Sequence, residues 1–129
     1  MHGAKFTEYC KKLSFDFLTS WKKVKERQQK DDIHVLRVSI KKLRVVWIVT
    51  ELASNRASVQ KGFRKHTKKL FKLAGKVRDD QLNQELTKEL ISEKSNPYCK
   101  ALSISEHYHT EHLKMFLTKY DLKVVENLN

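Results

Sequence analysis

Residues 34–44, with the sequence His-Val-Leu-Arg-Val-Ser-Ile-Lys-Lys-Leu-Arg, decide the fold class because apolar and charged side chains recur at the spacing of an α-helix. The apolar face of this helix is expected to be Leu36, Ile40, Leu43 and Trp47. A cationic row borders that face and consists of His34, Arg37, Lys41 and Arg44. The row covers about 80° of the helix circumference and rises about 15 Å, at roughly one charge per turn. This arrangement suits a linear polyanion.

The same apolar spacing predicts further helices on both sides of this stretch. A first helix is expected from Phe6 to Arg27. Its expected buried stripe is Phe6, Tyr9, Cys10, Leu13, Phe17 and Trp21. The helix that contains residues 34–44 is expected to be capped by Asp31 or Asp32, to bury Ile33 and to fade near Asn55.

The remaining sequence predicts two or three more helices. One is expected after Ser58, and Gly75 predicts a bend or an end in it, with Asp79 and Asp80 capping the next helix. Pro97 is expected to begin the final helix. The apolar residues expected along these helices are Phe63, Leu70, Val77, Leu82, Leu86, Leu90, Leu102, Leu113, Phe116 and Leu117. The prediction is an all-α fold, an antiparallel bundle of four to five helices in a single domain over residues 1–129.

The composition agrees with this fold and indicates an anionic partner. The chain has 129 residues, and its 3 Gly and 1 Pro are too few for the turns of an all-β fold. Of the net charge of +12, residues 1–78 contribute +15 (21 basic, 6 acidic) and residues 79–129 contribute −3 (6 basic, 9 acidic). Such asymmetry is typical of proteins that bind nucleic acid, anionic lipid or a phosphate polymer.

A second basic run supports an anionic partner. It consists of Lys65, Lys68, Lys69, Lys72 and Lys76, which fall within about 100° of arc on the third helix. Like charges one turn apart repel each other by a few tenths of a kcal/mol per pair, and an anion bound across both helices would reverse that cost. The alternative for both basic runs is an ordinary solvated helix face.

Two blocks of the sequence together resemble a known family. The pattern His34-x-x-Arg37-Val38-x-x-Lys41-Lys42-Leu43-Arg44 is followed by Leu70-x-x-Leu73-x-Gly75-x-x-Arg78-Asp79. The two blocks, within about Asp31 to Leu90, resemble the CHAD domain, the conserved histidine α-helical domain. The resemblance implies a helical bundle that binds inorganic polyphosphate along a basic channel and can target proteins to polyphosphate granules.

The resemblance also implies which residues line the channel. They would be His34, Arg37, Lys41, Lys42 and Arg44, with Lys69, Lys72, Lys76 and Arg78 as contributors, and Lys65 and Lys68 belong to the same basic run. For the pair Arg78-Asp79 a structural role is expected, in which Asp79 caps a helix and orients Arg78.

The chain departs from the family in length. The family's usual domain is about twice as long and has two similar bundles facing each other across the channel, whereas one His-x-x-Arg block occurs here. A homodimer that rebuilds the two-bundle module is the favoured interpretation. Half of a longer parent protein and a reduced single-bundle binder are the alternatives.

Other functions have weaker support in the sequence. A basic helical protein that binds nucleic acid and a helical module that docks on an acidic partner or an anionic membrane remain alternatives. We expect no enzyme activity, no catalytic residues and no cofactor, because no phosphate-binding loop, dinucleotide turn or nucleophile elbow is present.

No metal site, disulfide or membrane span is expected either. His107 with Glu111 and His109 with His112 are helical pairs without further ligands, so a polar helix face is favoured over a metal site. Cys10 and Cys99 are expected to be free thiols in a cytoplasmic protein. The longest apolar run, Val45 to Val49, is too short to cross a bilayer.

Overall fold

Four helices form the described part of the protein, which in this computed structural model comprises residues 2–54, 61–90 and 96–119. They are α1 (His2–Glu26), α2 (Lys30–Ser54), α3 (Lys61–Leu90) and α4 (Pro97–Lys119). Within these ranges only residues 27–29 and Asn96 are not helical, and there is no strand. Each helix packs against the next one in the chain, and α1 also contacts α4. The predicted all-α antiparallel bundle is confirmed, with four helices.

The core follows the predicted helical stripes closely. Its buried apolar residues are Leu13, Phe17, Trp21, Val24, Ile33, Leu36, Ile40, Leu43, Leu70, Ala74, Val77, Leu113, Phe116 and Leu117. The α1 stripe begins later than expected, since Phe6 is 42% exposed and Tyr9 is 47% exposed. These two residues lie on the first turns of α1, before the helix reaches the buried stripe that starts at Leu13. The side chain of Phe63 is outside the described residues.

The start of α2 differs from the prediction by one or two residues. The helix begins at Lys30, and the backbone N–H of Ile33 donates to the carbonyl of Gln29 over 3.0 Å. Asp31 and Asp32 therefore lie in the first turn and are not N-caps. Their carboxylates still stabilise the helix start, because the unpaired N–H groups there carry partial positive charge.

The predicted helix end at Gly75 is wrong, because α3 is continuous from Lys61 to Leu90. Asp79 and Asp80 lie inside this helix, so neither can cap a new one. Leu86 and Leu90, expected on a buried stripe, are exposed. The glycine has a packing role, since a Cβ atom at Gly75 would lie 3.3 Å from Nη2 of Arg37 on α2. Gly75 thus allows a long side chain of α2 to lie against the backbone of α3.

The predicted start of α4 at Pro97 is confirmed. The backbone N–H of Tyr98 donates to Oδ1 of Asn96 over 2.8 Å, which satisfies one of the unpaired donors at the helix start. The C-terminal half of α4 packs against the rest of the bundle through its buried residues Leu113, Phe116 and Leu117.

Candidate functional site

Three cations of α2 gather around one aromatic ring of α3. The centroid of the Phe71 ring lies 4.4 Å from Cζ of Arg37, 5.8 Å from Nζ of Lys41 and 6.0 Å from Cζ of Arg44. Lys41 and Arg44 are exposed and Arg37 is half-buried. We call Arg37, Lys41, Arg44 and Phe71 the cation cluster. It brings together three of the four residues of the predicted cationic row.

Arg37 is the most deeply packed member of the cation cluster. Its guanidinium lies over the Phe71 ring and against Gly75, one helical turn further along α3. Among the described residues, its Nε atom is buried without a hydrogen-bond partner, as are Nε1 of Trp21 and Oε1 of Gln81. A buried donor without an acceptor costs about 1–3 kcal/mol.

Two ion pairs mark the ends of the α2–α3 interface and leave the cation cluster between them. At one end Lys30 Nζ lies 2.6 Å from a carboxylate oxygen of Glu85, and at the other Arg64 pairs with Glu51. Residues 33–50 and 61–78 contain no Asp or Glu. Within the described ranges, no ion pair involves any of the three cations of the cluster. Among the described residues, no carboxylate therefore neutralises the positive charge in the middle of this interface.

His34 and Lys42 lie away from the cation cluster. Both line a groove of about 400 Å³ between α1 and α2, where Asp16 and Asp32 are also found. The groove is also lined by Lys23. The structure thus divides the α2 cations predicted to line one channel between two neighbouring surfaces, one facing α3 and one facing α1.

The five lysines predicted to form a basic face on α3 have exposed side chains. They are Lys65, Lys68, Lys69, Lys72 and Lys76. Lys68 and Lys72 lie on one side of Phe71 around the helix, about 60° and 100° away from it. Lys69 turns towards α4, where its Nζ lies 5.7 Å from the ring centroid of Phe116. Arg78 is half-buried beyond Gly75.

A comparison with protein-family models matches residues 13–119 to the CHAD domain. The chain belongs to the CHAD domain family. The matched residues include α2, α3 and α4 in full, α1 from Leu13 onward, and every residue predicted to bind an anion. No significant match was found among curated proteins or among solved structures. The CHAD family is associated with polyphosphate binding.

The Arg78-Asp79 pair of this CHAD domain does not have the expected arrangement. Asp79 is exposed in the middle of α3, and no ion pair among the described residues joins it to Arg78. The next residue, Asp80, has the structural contacts instead. It is 8% exposed and faces α4.

Asp80, Ser105 and His109 form a polar cluster between α3 and α4. Nδ1 of His109 donates to Oδ2 of Asp80 over 2.5 Å, and Ser105 Oγ donates to Oδ1 of Asp80 over 3.0 Å. Both donors act on a carboxylate that can only accept, which satisfies the buried negative group. Within the described ranges, no group of three or more His, Cys, Asp or Glu residues could hold a metal ion.

Two further features of the described part of this CHAD domain are the state of its cysteines and the apolar character of its helices. Cys10 and Cys99 are free thiols, and burial raises the pKa of the Cys10 thiol. The raised pKa disfavours the thiolate, which is the reactive form of cysteine. Among the described helices, none combines the length and the apolar character that crossing a bilayer requires.

Phe71 is the site residue that sequence patterns missed. It lies between Lys68 and Lys72, in a basic run whose predicted role depended on charge alone. Its ring contacts cations that lie more than twenty-five positions earlier in the chain. A usable signal was present, namely two helical segments without acidic residues, one of them with an aromatic residue among its lysines.

Proposed function

We propose that this CHAD domain binds inorganic polyphosphate through the cation cluster and the lysines of α3, without catalysing a reaction. The observation that carries the proposal is the position of Arg37, Lys41 and Arg44 around Phe71, with no carboxylate partner among the described residues. Arginine offers a planar fork for phosphate oxygens and lysine a compact charge, and both bind phosphate well.

The shape of the cation cluster favours a linear ligand over a single phosphate ion. Its three cations are spaced 4 and 3 residues apart, which corresponds to a rise of about 10 Å along α2. Lys68 and Lys72 supply further charges on the neighbouring α3. An extended chain of phosphates can contact both sets at once and release counterions from each contact.

Binding to a long polyphosphate through many charge contacts supports a role in targeting and not in catalysis. A protein held by many charge contacts to a long polyphosphate would accumulate wherever that polymer is concentrated, which includes polyphosphate granules. Nothing in the cation cluster offers a nucleophile or a general base, since its members are two guanidinium groups, an ammonium group and a phenyl ring.

A competition experiment tests polyphosphate against nucleic acid as the ligand. Both ligands should bind more weakly as salt rises, because counterion release drives both, so salt dependence alone does not separate them. We expect long-chain polyphosphate to displace the protein from labelled DNA or RNA at equal phosphate concentration, measured by fluorescence anisotropy. Displacement in the opposite direction would show that nucleic acid is the preferred ligand and would refute the proposal.

We also propose that two copies pair to complete a two-bundle module. The support is an exposed apolar patch on the helix that carries the cation cluster. The patch consists of Val45, Ile48, Val49 and Leu52, which are 48–78% exposed. Contiguous exposed apolar side chains are typical of protein interfaces. A second copy that buries this patch would stand next to the cation cluster.

Molecular mass in solution tests the pairing. We expect light scattering to give about twice the 15.3 kDa chain mass, with or without polyphosphate. The variant Leu52→Lys should give the monomer mass, because burying an unpaired charge in an apolar interface is costly. A wild-type protein that is monomeric both alone and with polyphosphate would contradict the dimer.

A further inference from the structure

Phe71 has an unusual set of neighbours for an aromatic residue at a helix interface. Three cations from one helix lie within 6.0 Å of the centroid of its ring, the nearest being Arg37 at 4.4 Å. These cations are one turn apart on α2, a spacing at which like charges repel. A carboxylate is the usual neighbour that offsets such repulsion, and neither helix provides one near the cluster.

An aromatic ring and a carboxylate affect bound cations differently. The face of a phenyl ring is electron-rich and attracts a cation, but the ring has no net charge. A carboxylate at this position would cancel one of the positive charges and repel an incoming phosphate. The ring holds the cations close together and leaves their full charge available to an anion.

Gly75 completes this arrangement on the same face of α3. A Cβ atom at Gly75 would lie 3.3 Å from Nη2 of Arg37, which is a tight contact, and 3.5 Å from its Cζ, which is an ordinary van der Waals contact. The absence of a side chain therefore lets the Arg37 guanidinium lie on the Phe71 ring and against the α3 backbone.

We propose that Phe71 is a positioning residue for anion binding, whose uncharged ring holds Arg37, Lys41 and Arg44 in one cluster, and that Gly75 provides the space for Arg37. This inference rests on the proposed polyphosphate function and adds the residue that organises the site. Phe71 acts through the cations and does not itself contact the phosphate.

The test compares Phe71→Leu, which removes the ring but keeps an apolar side chain, with Phe71→Tyr, which keeps the ring. Affinity for long-chain polyphosphate is measured by isothermal titration calorimetry at fixed salt. We expect Phe71→Leu to bind about three- to tenfold more weakly and Phe71→Tyr to remain within about twofold of wild type. In an Arg37→Ala background, Phe71→Leu should weaken binding by less than about twofold, because the two residues act together.

Gly75→Ala is a second variant, which tests the site even if Phe71→Leu destabilises the fold. Alanine favours the helix interior, so the melting temperature of Gly75→Ala should be no lower than that of the wild-type protein. The alanine methyl group would shift the Arg37 guanidinium by a few tenths of an ångström, so polyphosphate binding should weaken by about twofold.

The possible outcomes separate the two proposals. A wild-type protein that does not bind polyphosphate refutes the proposed function, and the positioning role with it. Wild-type binding with equal affinities for Phe71→Leu and Phe71→Tyr refutes only the role of Phe71. Gly75→Ala with wild-type affinity refutes only the role assigned to Gly75.

Discussion

Replacing Arg37, Lys41 and Arg44 together by alanine is expected to weaken polyphosphate binding by about two to three orders of magnitude. Hydrogen bonds to charged groups contribute about 1.5–3 kcal/mol each, and three such donors are removed, although their losses do not add fully. The slope of log affinity against log salt should also decrease in magnitude by about two to three, since fewer phosphates are neutralised. Titration calorimetry at several salt concentrations measures both quantities.

A matched control separates this local effect from the loss of net charge. Lys11, Lys22 and Lys25 are exposed residues of α1, and replacing all three by alanine removes the same number of charges. We expect the control to lose less than about tenfold in affinity. Both variants should keep the helical circular dichroism spectrum, because alanine is the best helix former. Equal losses in the two triple variants would show that bulk charge, and not the cation cluster, determines binding.

Asp80→Ala is expected to lower the free energy of unfolding by about 2 kcal/mol, which is more than any other single substitution considered for this protein. Asp80 is 8% exposed and accepts hydrogen bonds from His109 and Ser105 on α4. Its removal leaves these two donors without their acceptor at the interface between α3 and α4. Urea unfolding followed by circular dichroism measures the change.

The adjacent residue provides the control for Asp80→Ala. Asp79 is exposed on the same helix, so Asp79→Ala changes the net charge equally but should alter stability by no more than about 0.5 kcal/mol. Polyphosphate affinity should be similar in the two variants, because both remove one negative charge. A loss of stability as large in Asp79→Ala as in Asp80→Ala would contradict the role of the Asp80, Ser105 and His109 cluster.

The helices and most of the core were predictable from local pattern. Ile33, Leu36, Ile40 and Leu43 recur at the helical period, and all four are buried. Periodicity predicts the buried residues here because each helix of a bundle buries one face against the core. Exposed Phe6 and Tyr9 follow the same period, so the period does not tell how far along α1 the buried contacts extend.

Gly75 shows where a local rule gives the wrong answer. Glycine weakens a helix by about 1 kcal/mol relative to alanine, which makes a break reasonable when only neighbouring residues are considered. The contact that explains the glycine involves Arg37, which lies in another helix. Packing between α2 and α3 therefore explains the glycine, while α3 continues through this position.

The candidate site was predictable in part. The spacing of Arg37, Lys41 and Arg44 placed them on one side of α2, and the structure gathers them around Phe71. The same helical arc also included His34, which lies in the groove facing α1. An arc of about 80° is wide enough to border two neighbouring helices, so spacing alone could not assign its members to one surface.

Local patterns were thus sufficient for the helical class, the apolar faces and the uneven charge, because these depend on residues within two or three turns of each other. Tertiary packing decided that Phe71 and Gly75 meet Arg37, and that Asp80 meets His109. These partners are 29 to 38 positions apart in the sequence. Their contact depends on how the helices cross and rotate against each other, which no local periodicity specifies.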